Sequence, residues 1–243
     1  MRMTFVAISI LALSASTVMS QEKSRAGLPQ LGDVAPSFTA KSTNGTIDFP
    51  KDYDGSWKII FSHPADFTPV CTSEILELAE MQDDLKKMNV RCLVVSADDL
   101  DKHNQWVKSM ESLKYKNRET PKITFALVDD HDLTIASKYG MIQPGVSTTK
   151  DVRGVFIIDP KNKVRAMFYY PMEVGRNTEE IKRTILALQT VDKNTVFTPA
   201  NWEAGNDVLL PYVKNSDEKG GQAKPTDPDT YEVSWYMFLK KMQ

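Results

Sequence analysis

One stretch of this chain combines residue types that could do chemistry. It is Phe61-Ser62-His63-Pro64-Ala65-Asp66-Phe67-Thr68-Pro69-Val70-Cys71-Thr72-Ser73-Glu74. Thr68 is a natural helix N-cap, and Pro69 stands where a helix most easily accepts proline, at N1, so Cys71 falls at about N3. The unpaired amides and the positive end of the helix dipole favour thiolate over thiol at that position, and a thiolate is the nucleophilic form. A cysteine of arbitrary placement is better read as a small buried hydrophobe or half of a disulfide. A strand-to-helix junction with this capping chemistry reverses that preference.

The flanking segments must position the sulfur. Residues 57–62 (WKIIFS) and 90–95 (VRCLVV) read as buried strands, followed by 123–128, 155–158 and 164–170. Between the first two, Ile75, Leu78, Met81 or Gln82, Leu85 and Met88 set an apolar stripe on a helix over about 71–88. Further helices are expected over 100–113 and 179–191, the last with Ile181, Ile185, Leu186 and Leu188 inward. Strands separated by helices imply an α/β sheet covered on both faces. The close pair 155–158 and 164–170 across Pro160-Lys161-Asn162-Lys163 adds an antiparallel hairpin, so the central sheet is mixed. Beyond Thr198 the composition shifts. Four prolines and the soluble run 215–224 precede an apolar finish with Val233, Trp235, Tyr236, Met237, Phe238 and Leu239. A small, loop-rich C-terminal domain is expected there, its aromatics buried against the main domain or a second subunit.

The 243 residues carry 30 Lys+Arg against 32 Asp+Glu, with 41% apolar residues and two Cys. Such a balance is globular, without the cationic field that a nucleic acid or an anionic leaflet would need. Residues 1–20 are set apart as an export signal. Arg2 opens them, 5–15 is an almost unbroken apolar run, and Val18-Met19-Ser20 offers a cleavage site. That run is shorter than the roughly 20 residues that cross a bilayer, so no membrane span is expected. The destination is extracytoplasmic, periplasmic or secreted. Asn44-Gly45-Thr46 is a glycosylation sequon in a eukaryotic setting. The expected division is 1–20 signal, 21–194 main domain and 195–243 C-terminal domain.

Pro64-x-x-x-Thr68-x-x-Cys71 resembles the peroxiredoxin signature. The longer run Ser62-His63-Pro64-x-Asp66-Phe67-Thr68-Pro69-Val70-Cys71-Thr72-x-Glu74 is similar to the one-cysteine subgroup typified by mammalian peroxiredoxin six. The likeness continues through Asp33-x-Ala35-Pro36-x-Phe38, Arg153-Gly154-Val155-Phe156-Ile157-Ile158-Asp159-Pro160, Gly175-Arg176-Asn177-x-x-Glu180-Ile181 and Thr198-Pro199-Ala200-Asn201-Trp202-x-x-Gly205. It implies a thioredoxin-like fold and a thiol peroxidase for antioxidant defence. Cys71 would attack hydrogen peroxide or a small organic hydroperoxide and become a sulfenic acid, with overoxidation to sulfinic acid as its failure mode.

Charge grows along S···O···O in that step, and donors must meet it. Thr68 offers a hydroxyl, Val70 and Cys71 offer amides, and Arg153, carried over from the family, offers a permanently charged fork. Pro64, without an amide proton, would screen the sulfur from water. His63 resembles a position lining the peroxide site, against the plain reading of a satisfied hydrogen-bonding residue. Arg176 resembles a second pocket arginine, with a structural salt bridge to Glu74 or Glu180 as the alternative. Glu74, three residues past Cys71, is placed to partner an arginine. The three His and two Cys show no ligand spacing, and neither metal nor cofactor is expected.

Two-cysteine relatives carry a resolving Cys where this chain has Thr198. Cys92 is expected inside a strand as a core residue, with a Cys71–Cys92 disulfide as the minor reading, so an external thiol must reduce the sulfenate. Asp54-Gly55-Ser56-Trp57-Lys58 only partly matches the lipase motif of some subgroup members, and Pro50 stands near the histidine it would need. Ser56 is therefore read as a turn residue. A homodimer, or a larger assembly of dimers, is implied by the resemblance. The competing readings are a non-catalytic holdase on the same fold and a thiol–disulfide exchange enzyme, the latter weakened by the lack of Cys-x-x-Cys.

Overall fold

A computed structural model of the chain describes residues 28–211 and 227–242. The expected export segment 1–20 and the soluble run 215–224 lie outside these. The elements in order are β1 Phe38–Ser42, β2 Gly45–Phe49, β3 Trp57–Ser62, α1 Pro69–Lys87, β4 Val90–Ser96, α2 Leu100–Met110, β5 Lys114–Tyr115 and β6 Arg118–Glu119. There follow β7 Ala126–Asp129, α3 Thr134–Lys138, β8 Arg153–Ile158, β9 Val164–Tyr170, α4 Thr178–Asn194, β10 Val208–Leu209, β11 Thr230–Ser234 and β12 Met237–Lys240.

Seven strands form the central sheet in the order β2-β1-β7-β4-β3-β8-β9. β3, β4 and β7 run parallel, while β8 returns antiparallel to β3 and pairs with β9. The sheet is thus mixed, as the spacing of the hydrophobic runs predicts. β3 is buried along its whole length. Its alternation divides the molecule: Ile59 and Phe61 join the core under α1 and α4, and Ile60 joins the opposite core with Phe38, Phe49, Tyr139 and Phe156. Fully burying each such side chain contributes about 1.5–3 kcal/mol.

The sheet brings chemistry to one edge. The parallel strands β3, β4 and β7 all end there, and the antiparallel β8 begins there with Arg153. Ligands of open α/β sheets gather at that carboxyl edge. Gly154 sits where β8 passes β3, and a Cβ on it would stand 3.2 Å from Ser62 Oγ, which already accepts from the Gly154 amide and donates to Val152 O.

The C-terminal part departs from expectation only in its exposed aromatics. It is loop-rich as expected, but three short strands in it pair as a sheet, β10-β12-β11. Trp202 and Val208 pack with Ala187 of α4 and Val196, and Phe238 is buried. Trp235 and Tyr236, at the β11–β12 turn, are 61% and 57% exposed, so nothing among the described residues covers them. No helix among the described residues is long and apolar enough to cross a membrane.

Candidate active site

The loop between β3 and α1 sets the geometry. Phe67 takes a left-handed φ of 57° and Thr68 an extended one, after which Pro69 opens the helix, placing Cys71 third in it. The expected side-chain cap is not formed. The Thr68 hydroxyl donates to Ala65 O at 2.9 Å instead of accepting from the first turn. The amides of Val70 and Cys71, which have no helical acceptor by position, are therefore not capped by it. The first helical bond runs from Thr72 N to Thr68 O. Cys71 and Pro64 are buried, whereas Thr68 and Val70 are partly exposed.

Arg153 Nη1 lies 3.3 Å from Cys71 Sγ and 2.7 Å from Glu74 Oε2. Its Nε and Nη2 both donate to Met172 O, which holds the guanidinium plane in place. Only a fork can serve all three partners at once. Glu74 also takes Arg176. Nε and the backbone N meet Oε1 at 2.8 and 2.7 Å, and Nη2 meets Oε2 at 2.7 Å. Burial by itself raises the Glu74 carboxyl, but the Arg176 hydrogen bonds and charge outweigh it and hold it below its usual value. Arg176 further donates to Ser62 O and Gly154 O and lies 3.4 Å over the Phe61 ring. Arg176 thus makes the salt bridge to Glu74 that the sequence offered as one reading. Glu180 pairs with Arg183 instead.

His63 is buried with its Nε2 2.8 Å from Asp66 Oδ1, and its Nδ1 has no partner. Asp66 Oδ2 meets Nδ1 of His103, in α2, at 2.7 Å. Sequence reasoning missed His103, because nothing in the spacing of α2 links it to a loop 37 residues earlier. Asp66 was legible only as a member of the family-like run from Ser62 to Glu74. Donor atoms of His63, Asp66 and Asp98 lie within 4.8 Å of one another. Both Asp66 oxygens face imidazole nitrogens and Asp98 accepts from Asp66 N and Lys102, which leaves His63 Nδ1 as the unpartnered atom of the group.

Cys92 lies in β4 and, like Cys71 in α1, is buried and free. Burial pushes its thiol up, which makes it a core residue and a poor nucleophile. The disulfide alternative is not what the structure has. Ser56 bonds Asn89 Oδ1 at 3.0 Å, as a turn residue would, and no histidine stands by it among its bonds.

A thioredoxin-like sheet that presents one helix-terminal cysteine to an arginine defines a thiol-based redox enzyme. The sequence profile of the AhpC/TSA family matches residues 31–167, and that of the C-terminal domain of 1-Cys peroxiredoxin matches 187–222. A peroxiredoxin of Methanosarcina mazei is 45% identical over 215 residues, 88% of this chain and 98% of the relative. The mitochondrial peroxiredoxin PRX1 of Saccharomyces cerevisiae is 39% identical over 204 residues, 80% of this chain and 76% of its own length. Among solved structures, a yeast mitochondrial 1-Cys peroxiredoxin superposes with a TM-score of 0.77 at 36% identity, over 88% of this chain and all of that one. Peroxiredoxin 6 of Arenicola marina gives 0.73 at 30%, over 87% and 97%. The chain belongs to the AhpC/TSA family, as a one-cysteine peroxiredoxin with thiol-dependent peroxidase activity.

Proposed function

We propose that Cys71 is the sulfur that reduces hydrogen peroxide and small organic hydroperoxides, and that an external thiol restores it. The observation that carries this is the 3.3 Å contact between Arg153 Nη1 and Cys71 Sγ in the first turn of α1. The thiolate forms a bond to the hydroxyl oxygen of R–O–O–H, the O–O bond breaks, and its electron pair leaves on the alkoxide. The alkoxide takes a proton to leave as alcohol or water, and sulfur retains one oxygen as the sulfenic acid. Arg153 and the amides of Val70 and Cys71 meet the oxygens as charge develops. Pro64 contributes a wall without a donor, and the Thr68 hydroxyl, whose hydrogen goes to Ala65 O, is not free to donate to the peroxide as the sequence suggested. Phe67, Trp106, Leu113 and Tyr115 line an apolar groove that Thr68 borders, which suits a small alkyl group.

Reduction takes two equivalents of thiol. The first releases water and forms a mixed disulfide with Cys71, and the second releases the oxidised reductant. Cys92, buried in β4, is unsuited to the first of these steps. The yeast relative has a thiol resolving mechanism through glutathione/thioredoxin systems, and a reductant of that class is the reading here. Cys71→Ser should abolish thiol-dependent peroxide consumption and Cys92→Ser should leave it nearly unchanged; equal losses would overturn the assignment.

Export and self-association belong to the same reading. The Arg2 start and the apolar run 5–15 support cleavage after Ser20, to be checked by the N-terminal sequence of the mature protein. The exposed Val233, Trp235 and Tyr236 support a homodimer, to be checked by sedimentation of the native chain and of Trp235→Ser.

A further inference from the structure

Behind the first turn of α1, two buried imidazoles share one carboxylate. Asp66 Oδ1 is 2.8 Å from His63 Nε2, and Oδ2 is 2.7 Å from His103 Nδ1. The far nitrogen of His103, Nε2, is 3.1 Å from Val128 O. A carbonyl can only accept, so that nitrogen carries a hydrogen, and Nδ1 facing a carboxylate oxygen must carry another. His103 is therefore an imidazolium paired with the Asp66 carboxylate. His63 needs only one hydrogen, on Nε2, and its Nδ1 is left as a bare lone pair.

The electrostatics agree. Burial lowers His63 and outweighs the pull of Asp66. Burial acts the same way on His103, but the Asp66 hydrogen bond and charge overcome it and raise that residue. Asp66 is raised by burial yet held low by hydrogen bonds from His103 and His63. The charged groups facing this chain from neighbouring elements are Arg176 before α4, and Asp98 with its partner Lys102 at the start of α2. Asp151, before β8, faces Asp98. The His63 ring packs 5.0 Å from that of Trp106, whose Nε1 donates to Thr72 Oγ1, beside Cys71. A fully buried acceptor without a donor, linked through Trp106 to the residue that follows Cys71, calls for a partner that arrives with the reaction.

We propose that His103 is a positioning residue: by pairing with Asp66 it keeps His63 the neutral Nε2–H tautomer, so that Nδ1 accepts the hydroxyl hydrogen that a hydroperoxide brings to Cys71. This rests on the assignment of Cys71 as the reacting sulfur. Without His103, His63 is the one imidazole left hydrogen-bonded to the Asp66 carboxylate among the described residues. It then takes up a proton, and the acceptor at Nδ1 becomes a donor.

The test has two arms. In the wild type, ring ¹⁵N–¹H correlation spectra at pH 7 should show His103 protonated on both nitrogens and His63 on Nε2 alone. With only three histidines in the chain, assignment is direct. A cationic His63, or one protonated on Nδ1, would overturn the proposal without any variant having to fold. In His103→Phe, the second-order rate of Cys71 oxidation should fall about tenfold or more at pH 6 and recover as pH rises, a dependence that the wild type lacks. A folded variant with the wild-type rate and profile contradicts it. Oxygen from peroxide appearing on a sulfur other than Cys71 would instead remove the Cys71 assignment and leave the ring spectra standing.

Discussion

Replacing Glu74 by Gln probes the ion cluster that holds Arg153 against the sulfur. The carboxylate accepts four bonds of 2.7–2.8 Å from two buried guanidinium groups and one amide. A glutamine can keep its oxygen toward Arg176 N and Nε. Its amide nitrogen must then face Arg153 Nη1 and Arg176 Nη2, donor against donor, while both cations lose their counter-charge. Removing one partner of a buried pair costs about 3–5 kcal/mol. For a chain of this size, that is a fall in Tm of about 6–20 °C. The pH dependence carries a sign. The Glu74 carboxyl is held below its ordinary 4.5 in the folded protein, so its contribution is complete above that value and is lost as pH falls through the folded one. The gap between wild type and variant should thus be widest near neutrality and close in acid. Urea unfolding of the reduced proteins at pH 7 and in stepwise acid, followed by circular dichroism, measures it. A gap below about 1 kcal/mol at pH 7, the scale of an exposed pair, or one that persists unchanged in acid, would refute the reasoning.

Two further outcomes follow from the same cluster and its surroundings. Arg153→Lys should slow Cys71 oxidation by about 10²–10³-fold in stopped-flow fluorescence, because one ammonium cannot serve Sγ, Glu74 and Met172 O together; a loss under about tenfold would count against the arginine's role. Asp151, buried with neither oxygen partnered, has its carboxyl pushed well above 3.8 by burial and by the charges of Asp130 and Asp98. A raised acid is a liability absent below its unfolded value that grows as pH rises toward the folded one. Asp151→Asn should therefore be more stable than wild type by on the order of 1–3 kcal/mol at pH 8, with the advantage fading toward pH 4. Equal urea midpoints at both pH values would contradict this.

Elements whose residues are buried on a regular period were legible in the sequence. β3 and β9 fall on the expected residues, and α1 starts two residues earlier than its apolar stripe because Pro69 fixes the first turn. Marginal elements were not. The β1–β2 hairpin is short and half-exposed, and its Asn44-Gly45 turn signal was read as a sequon; Gly45 has a φ of 96°. The five residues of α3 are too few to show a helical period, and are held in place by the Asp130 carboxylate, which accepts from Ile135 N and Ala136 N. At the site, Cys71, Arg153, Glu74 and Arg176 were all named from sequence, and the fold brings the four together. What pattern could not supply was long-range pairing, the Met172 carbonyl under Arg153 and His103 reaching Asp66 from α2, or the local choice of the Thr68 hydroxyl for Ala65 O over the helix amides.

The central claim is that a single sulfur, at the head of α1, takes the oxygen. Mass spectrometry of the reduced protein after one equivalent of hydrogen peroxide, with a dimedone-type trap for sulfenic acid, tests it most directly. The trapped adduct should appear on the peptide bearing Cys71, with the Cys92 peptide unmodified. An adduct on Cys92, or a Cys71–Cys92 bridge formed in place of the sulfenate, would contradict the account.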